Sequence, residues 1–294
     1  MDLRAVFPPM PTPFRGDEVD ERAIASNVAR WMTTGLGGIV ALGTNGEAAL
    51  LDEEESDRVV AAARQAVPAG RVLIAGVGRE STKGTVAAAR RAARLGADAV
   101  LVRTPSLYKA QTSVAALESH YRAVADDSPV PVLLYNYPAL TGVQLTPAVV
   151  ANLSTHPNVA GMKETSADGG QFADVAGVVP DRFTLLAGSA PGFYPALCAG
   201  ARGGILAVAC ILPEVCIRVL ELTRQAQYGE ALALQQRLTP IARAVTSVFG
   251  IAGLKAAMDL RGYTGGPPRS PLLPAPAAAV DRLRRQISEI EVWS

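Results

Sequence analysis

Eight short apolar runs rich in β-branched residues, at 4–7, 38–42, 72–75, 99–102, 130–135, 159–163, 183–187 and 204–208, alternate with Ala-, Arg- and Glu-rich stretches of helical period. Strands that alternate with helices imply parallel βαβ units. The runs are continuously apolar rather than alternating, so both faces of the sheet they form must be covered. Helical stretches fall between them at 53–66, 82–95, 113–125, 147–153, 170–178 and 192–199. Eight such units favour a closed α/β architecture, the (β/α)8 TIM barrel, over an open doubly wound sheet. No GxGxxG follows the first run, and Gly76-Val77-Gly78 reads as turn glycine, which weakens the dinucleotide-binding sheet further.

Beyond residue 208 the pattern is helical only, at 213–226, 229–248, 251–260 and 276–290. The expected organisation is a barrel carrying the active site over 1–210 and a helical extension over 211–294 packed on it. The Pro- and Gly-rich stretch 262–276 reads as an ordered linker between the last two helices.

At 294 residues and 49% hydrophobic, the chain can bury a large core. Lys and Arg number 28 against 27 Asp and Glu, a net charge of +1, and aromatics make up only 5%. Neither a nucleic-acid surface nor base-stacking platforms are expected, and a small soluble molecule is the default ligand. Cys198, Cys210 and Cys216 form no CxxC pair and lie near no histidine, so they read as reduced, buried thiols of a cytoplasmic protein. Met1-Asp2-Leu3-Arg4 does not open a signal peptide. The longest apolar run, 203–212, is far short of the roughly 20 residues a membrane helix needs. A soluble, cytoplasmic protein without a membrane partner is the expectation.

In a barrel of this kind the active site lies at the C-terminal ends of the strands. The second run ends in Gly43-Thr44-Asn45-Gly46-Glu47, the fourth in Thr104-Pro105 followed by Tyr108, the fifth in Tyr135-Asn136-Tyr137-Pro138, the sixth in Lys163-Glu164-Thr165 and the seventh in Gly188-Ser189. Hydroxyls, a tyrosine and a lysine thus converge on one rim. Each has a plainer reading. Lys163 closes an apolar run either as an ordinary surface charge or as an amine in a dry pocket, where burial favours the free amine that attacks a carbonyl. Gly43-Thr44-Asn45-Gly46 suits a turn with helix capping as well as an anion-binding nest for a carboxylate. Tyr135 suits a core phenol as well as a proton shuttle, and Asn136 and Pro138 suit a strand exit. Lys109 and Lys255 read as solvated or stem-packed. His120 and His156 fall on a helix and a loop, so neither a His-based mechanism nor a metal site is expected.

Gly43-Thr44-x-Gly46-Glu47, Tyr135-Asn136-x-Pro138 and Lys163, in that order at successive strand ends, resemble the dihydrodipicolinate synthase/N-acetylneuraminate lyase family of class I aldolases, along essentially the whole chain. The resemblance implies a (β/α)8 barrel with C-terminal helices, usually a homotetramer built as a dimer of dimers. It implies that Lys163 forms a covalent imine with a pyruvate-type 2-oxo acid and that no other cofactor is needed. Tyr135, hydrogen-bonded to Thr44, would relay protons, and Thr44, Asn45 and Gly46 would hold the substrate carboxylate. Ile205 matches a position whose backbone borders the substrate, with Gly188 and Ser189 on the same rim.

The synthase members usually carry a second hydroxyl where this chain has Asn45. They also carry an arginine, for the second substrate's carboxylate, where it has Leu140. An isobutyl group cannot replace a bidentate guanidinium. Ser106-Leu107-Tyr108 stands where Tyr-Tyr is common, and Tyr108 is the candidate for insertion into a neighbouring subunit. Other segments, His156-Pro157-Asn158-Val159-Ala160-Gly161-Met162-Lys163, Phe249-Gly250-Ile251-Ala252-Gly253-Leu254-Lys255 and Gly262-Tyr263-Thr264-Gly265-Gly266-Pro267, are more similar to the 4-hydroxy-2-oxoglutarate aldolase branch. On that likeness Thr165 takes the place of a hydroxyl residue near the lysine. The leading expectation is aldol cleavage of a 4-hydroxy-2-oxo acid. A sugar-acid lyase or dehydratase, a dihydrodipicolinate synthase, and a barrel that binds 2-oxo acids without turnover are the alternatives.

Overall fold

The structure, a computed structural model, describes residues 1–166 and 169–291. Among the described residues ten strands form, in chain order β1 (Val6–Phe7), β2 (Phe14–Arg15), β3 (Glu18–Val19), β4 (Gly38–Ala41), β5 (Val72–Gly76), β6 (Ala99–Arg103), β7 (Val132–Asn136), β8 (Val159–Glu164), β9 (Thr184–Ala187) and β10 (Gly203–Ile205). β2 and β3 pair as a small antiparallel hairpin, and the other eight make one parallel sheet in the order β1-β10-β9-β8-β7-β6-β5-β4. A parallel bridge between Pro9 and Val40, with Met10 N–H donating to Val40 O at 2.9 Å and Val40 N–H to Pro8 O at 3.0 Å, brings the two ends of that sheet together. The result is the expected barrel.

Two layers of apolar side chains explain why the runs are unbroken. One set, including Phe7, Val40, Ile74, Leu101, Leu133, Leu186 and Ile205, fills the barrel interior. The residues between them point outward into a larger cluster shared with the helices. Gly38, with φ of +151°, opens β4 where a Cβ would lie 1.9 Å from Val72 O, so only glycine lets the strands approach there.

The helices follow as α1 (Glu21–Met32), α2 (Glu53–Ala66), α3 (Thr82–Arg94), α4 (Val114–Asp127), α5 (Pro138–Thr141), α6 (Pro147–Ser154), α7 (Gly169–Val178), α8 (Phe193–Cys198), α9 (Pro213–Arg224), α10 (Tyr228–Arg243), α11 (Gly250–Leu260) and α12 (Ala277–Glu291). Local chemistry starts them. Asp52 and Glu55 form a reciprocal capping box on α2, whose first turn holds Glu53, Glu54 and Glu55. α3 buries Thr85, Ala88, Ala89 and Ala92, small groups that let it lie close on the barrel.

Two of the expectations need correction here. The last strand stops at Ile205, and residues 207–210 turn as a 3₁₀ helix, because a buried apolar run does not by its periodicity distinguish strand from helix. Cys198 is exposed, whereas Cys210 and Cys216 are buried as expected. The stretch 262–276 is ordered: Asn27 both donates to Thr264 O (2.8 Å) and accepts from Thr264 N–H (2.9 Å), and Asp259 accepts from Gly265 N–H at 2.8 Å. Among the described residues, no helix is long and apolar enough to cross a membrane.

Candidate active site

β7 and β8 run side by side with Tyr135 opposite Lys163 and Asn136 opposite Glu164. Side chains alternate along a strand, so the first pair faces the barrel axis and the second faces out. The outward pair is locked. Asn136 Nδ2 donates to Glu164 Oε2 at 2.8 Å, and its Oδ1 accepts from Leu145 N–H at 3.0 Å. Glu164 also accepts from Gln171 Nε2 at 3.1 Å and from Ser166 N–H at 2.6 Å. A buried carboxylate with three donors is well compensated, and it fixes the level at which the inward pair stands.

The inward pair is close and buried. Lys163 is 5% exposed and Tyr135 4%. Lys163 Nζ lies 4.2 Å from the centre of the Tyr135 ring. No carboxylate pairs with that amine among the described residues. Across the mouth, the Tyr135 hydroxyl lies 3.3 Å from Thr44 Oγ1. Tyr137 stacks near Tyr135, with ring centres 6.1 Å apart, and burial raises its phenol above the usual value, with Tyr135 adding to the effect.

Thr44, Asn45 and Gly46 form one 3₁₀ turn directly after β4. Gly46 and Glu47 N–H close that turn on Gly43 O (3.0 Å) and Thr44 O (3.2 Å). The first N–H groups of such a turn have no partner within it, so turn and anion nest are compatible readings of one segment. Thr12 Oγ1 donates to Gly46 O at 2.7 Å and holds the turn from below.

The other expected residues are distributed unevenly. Gly188 abuts Thr165: a Cβ at 188 would lie 2.0 Å from Thr165 Oγ1, a buried hydroxyl that has no partner among the described residues. Ile205 is fully buried in the interior cluster that contains Tyr135. Ser189 heads the short turn that begins at Ala190. Leu140 is 55% exposed and shares a cavity of about 450 Å³ with Thr44 and Tyr135. Lys163, Thr165, Gly188 and Ser189 do not line that cavity. Tyr108 is 68% exposed and also lies outside it. A second cavity of about 420 Å³ opens at the opposite end of the barrel, around Met1, Asp2 and Arg71, and shares no lining residue with the first.

Two features of the site go beyond the sequence reading. Lys255 is neither solvated nor merely stem-packed. It is fully buried, pairs with Glu47 Oε1 at 2.5 Å, donates to Pro267 O at 2.8 Å and sits 4.5 Å from the Phe14 ring centre. Burial pushes its amine below the usual lysine value, while Glu47 pulls it back up. Glu47 also accepts from Arg269 N–H at 2.8 Å, which ties the turn after β4 to the segment between α11 and α12. The signal available in sequence was a lysine inside an otherwise apolar helical stretch.

The second feature is Arg103, the last residue of β6, which lines the cavity beside Tyr135 and is its register partner. His120, by contrast, is buried on α4 with Nδ1 2.9 Å from Thr82 Oγ1, and burial holds its pKa down although Glu80 opposes this. Among the described residues no three His, Cys, Asp or Glu side chains gather as a metal site would require.

Residues 2–290 match the profile of the dihydrodipicolinate synthetase family. A protein of Emericella nidulans named probable 4-hydroxy-2-oxoglutarate aldolase, mitochondrial, is 36% identical over 281 residues, covering 93% of this chain and 90% of its own. A 4-hydroxy-tetrahydrodipicolinate synthase of Methanospirillum hungatei is 32% identical over 293 residues, 98% of this chain and 100% of its own. Among solved structures, YagE, a prophage protein of the dihydrodipicolinic acid synthase family from E. coli K12 in complex with pyruvate, superposes with a TM-score of 0.90 at 26% identity, covering 98% of both chains.

Proposed function

Because the chain belongs to the dihydrodipicolinate synthetase family and is a lyase of that family, we propose that it cleaves a 4-hydroxy-2-oxo acid, 4-hydroxy-2-oxoglutarate first among them, through an imine on Lys163. The observation that carries this reading is the Thr44–Tyr135–Lys163 cluster: a buried amine without a carboxylate partner among the described residues, beside a phenol that contacts a hydroxyl 3.3 Å away.

The chemistry runs in steps. The free amine of Lys163 attacks C2 of the oxo acid, and loss of water leaves an iminium. Tyr135 carries the protons of that step through its contact with Thr44. It then accepts the proton of the C4 hydroxyl as the C3–C4 bond breaks. The electron pair passes into the iminium and gives an enamine, and the aldehyde, glyoxylate in this case, departs. Protonation of the enamine at C3 and hydrolysis release pyruvate and the amine. The carboxylate at C1 is assigned to Thr44, Asn45 and Gly46, with Thr165, Gly188, Ser189 and Ile205 shaping the wall around it. Apart from the covalent imine no cofactor is invoked. A homotetramer, with Tyr108 reaching a second copy, is part of the same proposal.

The relative named as an aldolase at 36% identity supports the substrate, and the pyruvate complex of YagE supports the 2-oxo acid. Leu140, exposed at the mouth, speaks against the synthase, because it offers a second substrate carboxylate no hydrogen bond. The test is a turnover panel in which pyruvate release is followed from 4-hydroxy-2-oxoglutarate and from 2-keto-3-deoxy sugar acids, beside condensation of pyruvate with aspartate semialdehyde. Fastest turnover of 4-hydroxy-2-oxoglutarate is expected. Faster condensation would assign the chain to the synthases instead, and imine formation without turnover of anything would favour a binding protein.

A further inference from the structure

β6 is apolar from Ala99 to Val102 and then ends on Arg103. Ala99 and Leu101 belong to the barrel-interior cluster, so the period of two directs Arg103 inward as well, one layer above Leu101. Its register partner on β7 is Tyr135, and both line the cavity of about 450 Å³ at the mouth. A cation at such a place costs desolvation, and that cost persists only where partners or a ligand offset it.

The partners lie behind the guanidinium. Nη2 donates to Glu80 Oε1 at 2.8 Å, and Nη1 donates to Thr104 O at 3.2 Å and, more weakly, to Ser106 Oγ at 3.4 Å. Glu80 is itself held by Ser106 and Leu107 N–H, at 2.9 Å each, and is not part of the cavity wall. The guanidinium plane is therefore fixed from one side, while Nε–H has no acceptor among the described residues.

Glu80, the ion-pair partner of Arg103, lies outside the cavity lining, and no carboxylate of the wall pairs with this guanidinium among the described residues. Arg79, the other cation in it, is occupied by Glu53 through two contacts of 3.1 Å. Glu47, the carboxylate in the wall, is paired with Lys255. Leu140 offers the same cavity only carbon.

We propose that Arg103 is a specificity-determining residue that binds the distal carboxylate of the substrate, so that the enzyme selects dicarboxylic 2-oxo acids and releases an oxo acid, not a neutral aldehyde. This rests on the Schiff-base reading given above. The proposal puts C1 of such a substrate at the turn Thr44–Gly46 and C5 at Arg103, in the cavity lined by Tyr135, whose ring centre lies 4.2 Å from Lys163 Nζ. A guanidinium with a pre-set plane and a free N–H suits a carboxylate better than a hydroxyl or methyl terminus.

The test compares two probes that differ only at the far end, 2-oxoglutarate and 2-oxopentanoate, by the concentration of each that half-saturates borohydride trapping, with pyruvate as the control. The wild-type protein is expected to prefer 2-oxoglutarate by about 100-fold, the size of a lost charge-assisted contact. Arg103→Gln should reduce that ratio to near unity, and Arg103→Lys should leave it in between, since a point charge keeps attraction and loses the planar fork. Absence of preference in the wild-type protein, or an Arg103→Gln variant that weakens both probes by the same factor, overturns the proposal. Failure to trap pyruvate at all overturns the Schiff-base reading itself, so the two failures are distinguishable. If Arg103→Gln does not fold, the wild-type ratio and Arg103→Lys still decide.

Discussion

Lys163 and Tyr135 stand opposite each other on adjacent strands, with the amine 4.2 Å from the centre of the phenol ring and both side chains buried. Their relation is set from outside the barrel, by the hydrogen-bonded pair Asn136 and Glu164 one residue further along the same ladder. The geometry of this pair and the strand register are thus one structural fact in this protein.

Removing the phenol hydroxyl should separate binding from turnover. Tyr135→Phe keeps the ring over the amine, so an adduct with pyruvate still forms, while kcat falls by about 10²- to 10⁴-fold with the proton relay gone. Steady-state rates beside intact-mass detection of the adduct check this. Wild-type turnover would take Tyr135 out of the mechanism.

Thr44→Val preserves the shape of the turn but deletes the hydroxyl 3.3 Å from Tyr135. Loss of one such hydrogen bond predicts a fall in kcat/KM of about 10- to 100-fold. A variant within twofold of wild type would show that the contact is incidental.

The Glu47–Lys255 pair predicts an asymmetry in stability. Lys255→Met alone strands a buried carboxylate and should cost about 3–5 kcal/mol in denaturant unfolding, whereas Glu47→Gln combined with Lys255→Met should cost clearly less. Equal losses in the single and double variants would mean that the pair acts through packing, not charge.

Glu80 predicts a pH dependence. Partial burial opposes its ionisation, but N–H groups of Leu107 and Ser106 and the Arg103 guanidinium outweigh this and hold the carboxyl at about 2, below its ordinary 4.5. The unfolded chain then binds the extra proton, so the contribution of Glu80 is fully present above about pH 4.5 and is lost as pH falls toward about 2. The melting-temperature gap between wild type and Glu80→Gln should be widest near about pH 7 and narrow by about pH 3. A gap independent of pH contradicts the assignment.

The barrel was legible because each strand is covered on both faces, which writes a continuous apolar run into the chain, and because the rim residues follow those runs at once. The hairpin of β2 and β3 left no such mark: four residues, two of them charged, with only Phe14 and Val19 turned inward. α1 was missed for a related reason, since its buried face Ala23, Ile24, Asn27, Val28 and Trp31 includes a polar residue that serves Thr264, far along the chain. Lys255 and Arg103 pair with residues 208 and 23 positions away in sequence, Glu47 and Glu80, and no local pattern announces a pairing over such separations. The cluster of Thr44, Tyr135 and Lys163 was legible as a set through its order along the chain. Which of the rim residues line the cavity with Leu140 was not.

The most direct measurement is borohydride trapping with pyruvate, read by intact mass and peptide mapping on the wild-type protein and on Lys163→Ala. The account predicts one reduced adduct per chain, on Lys163, and none in the variant, with both proteins folded. An adduct that persists in Lys163→Ala, or a folded wild-type protein that gives none, would contradict it.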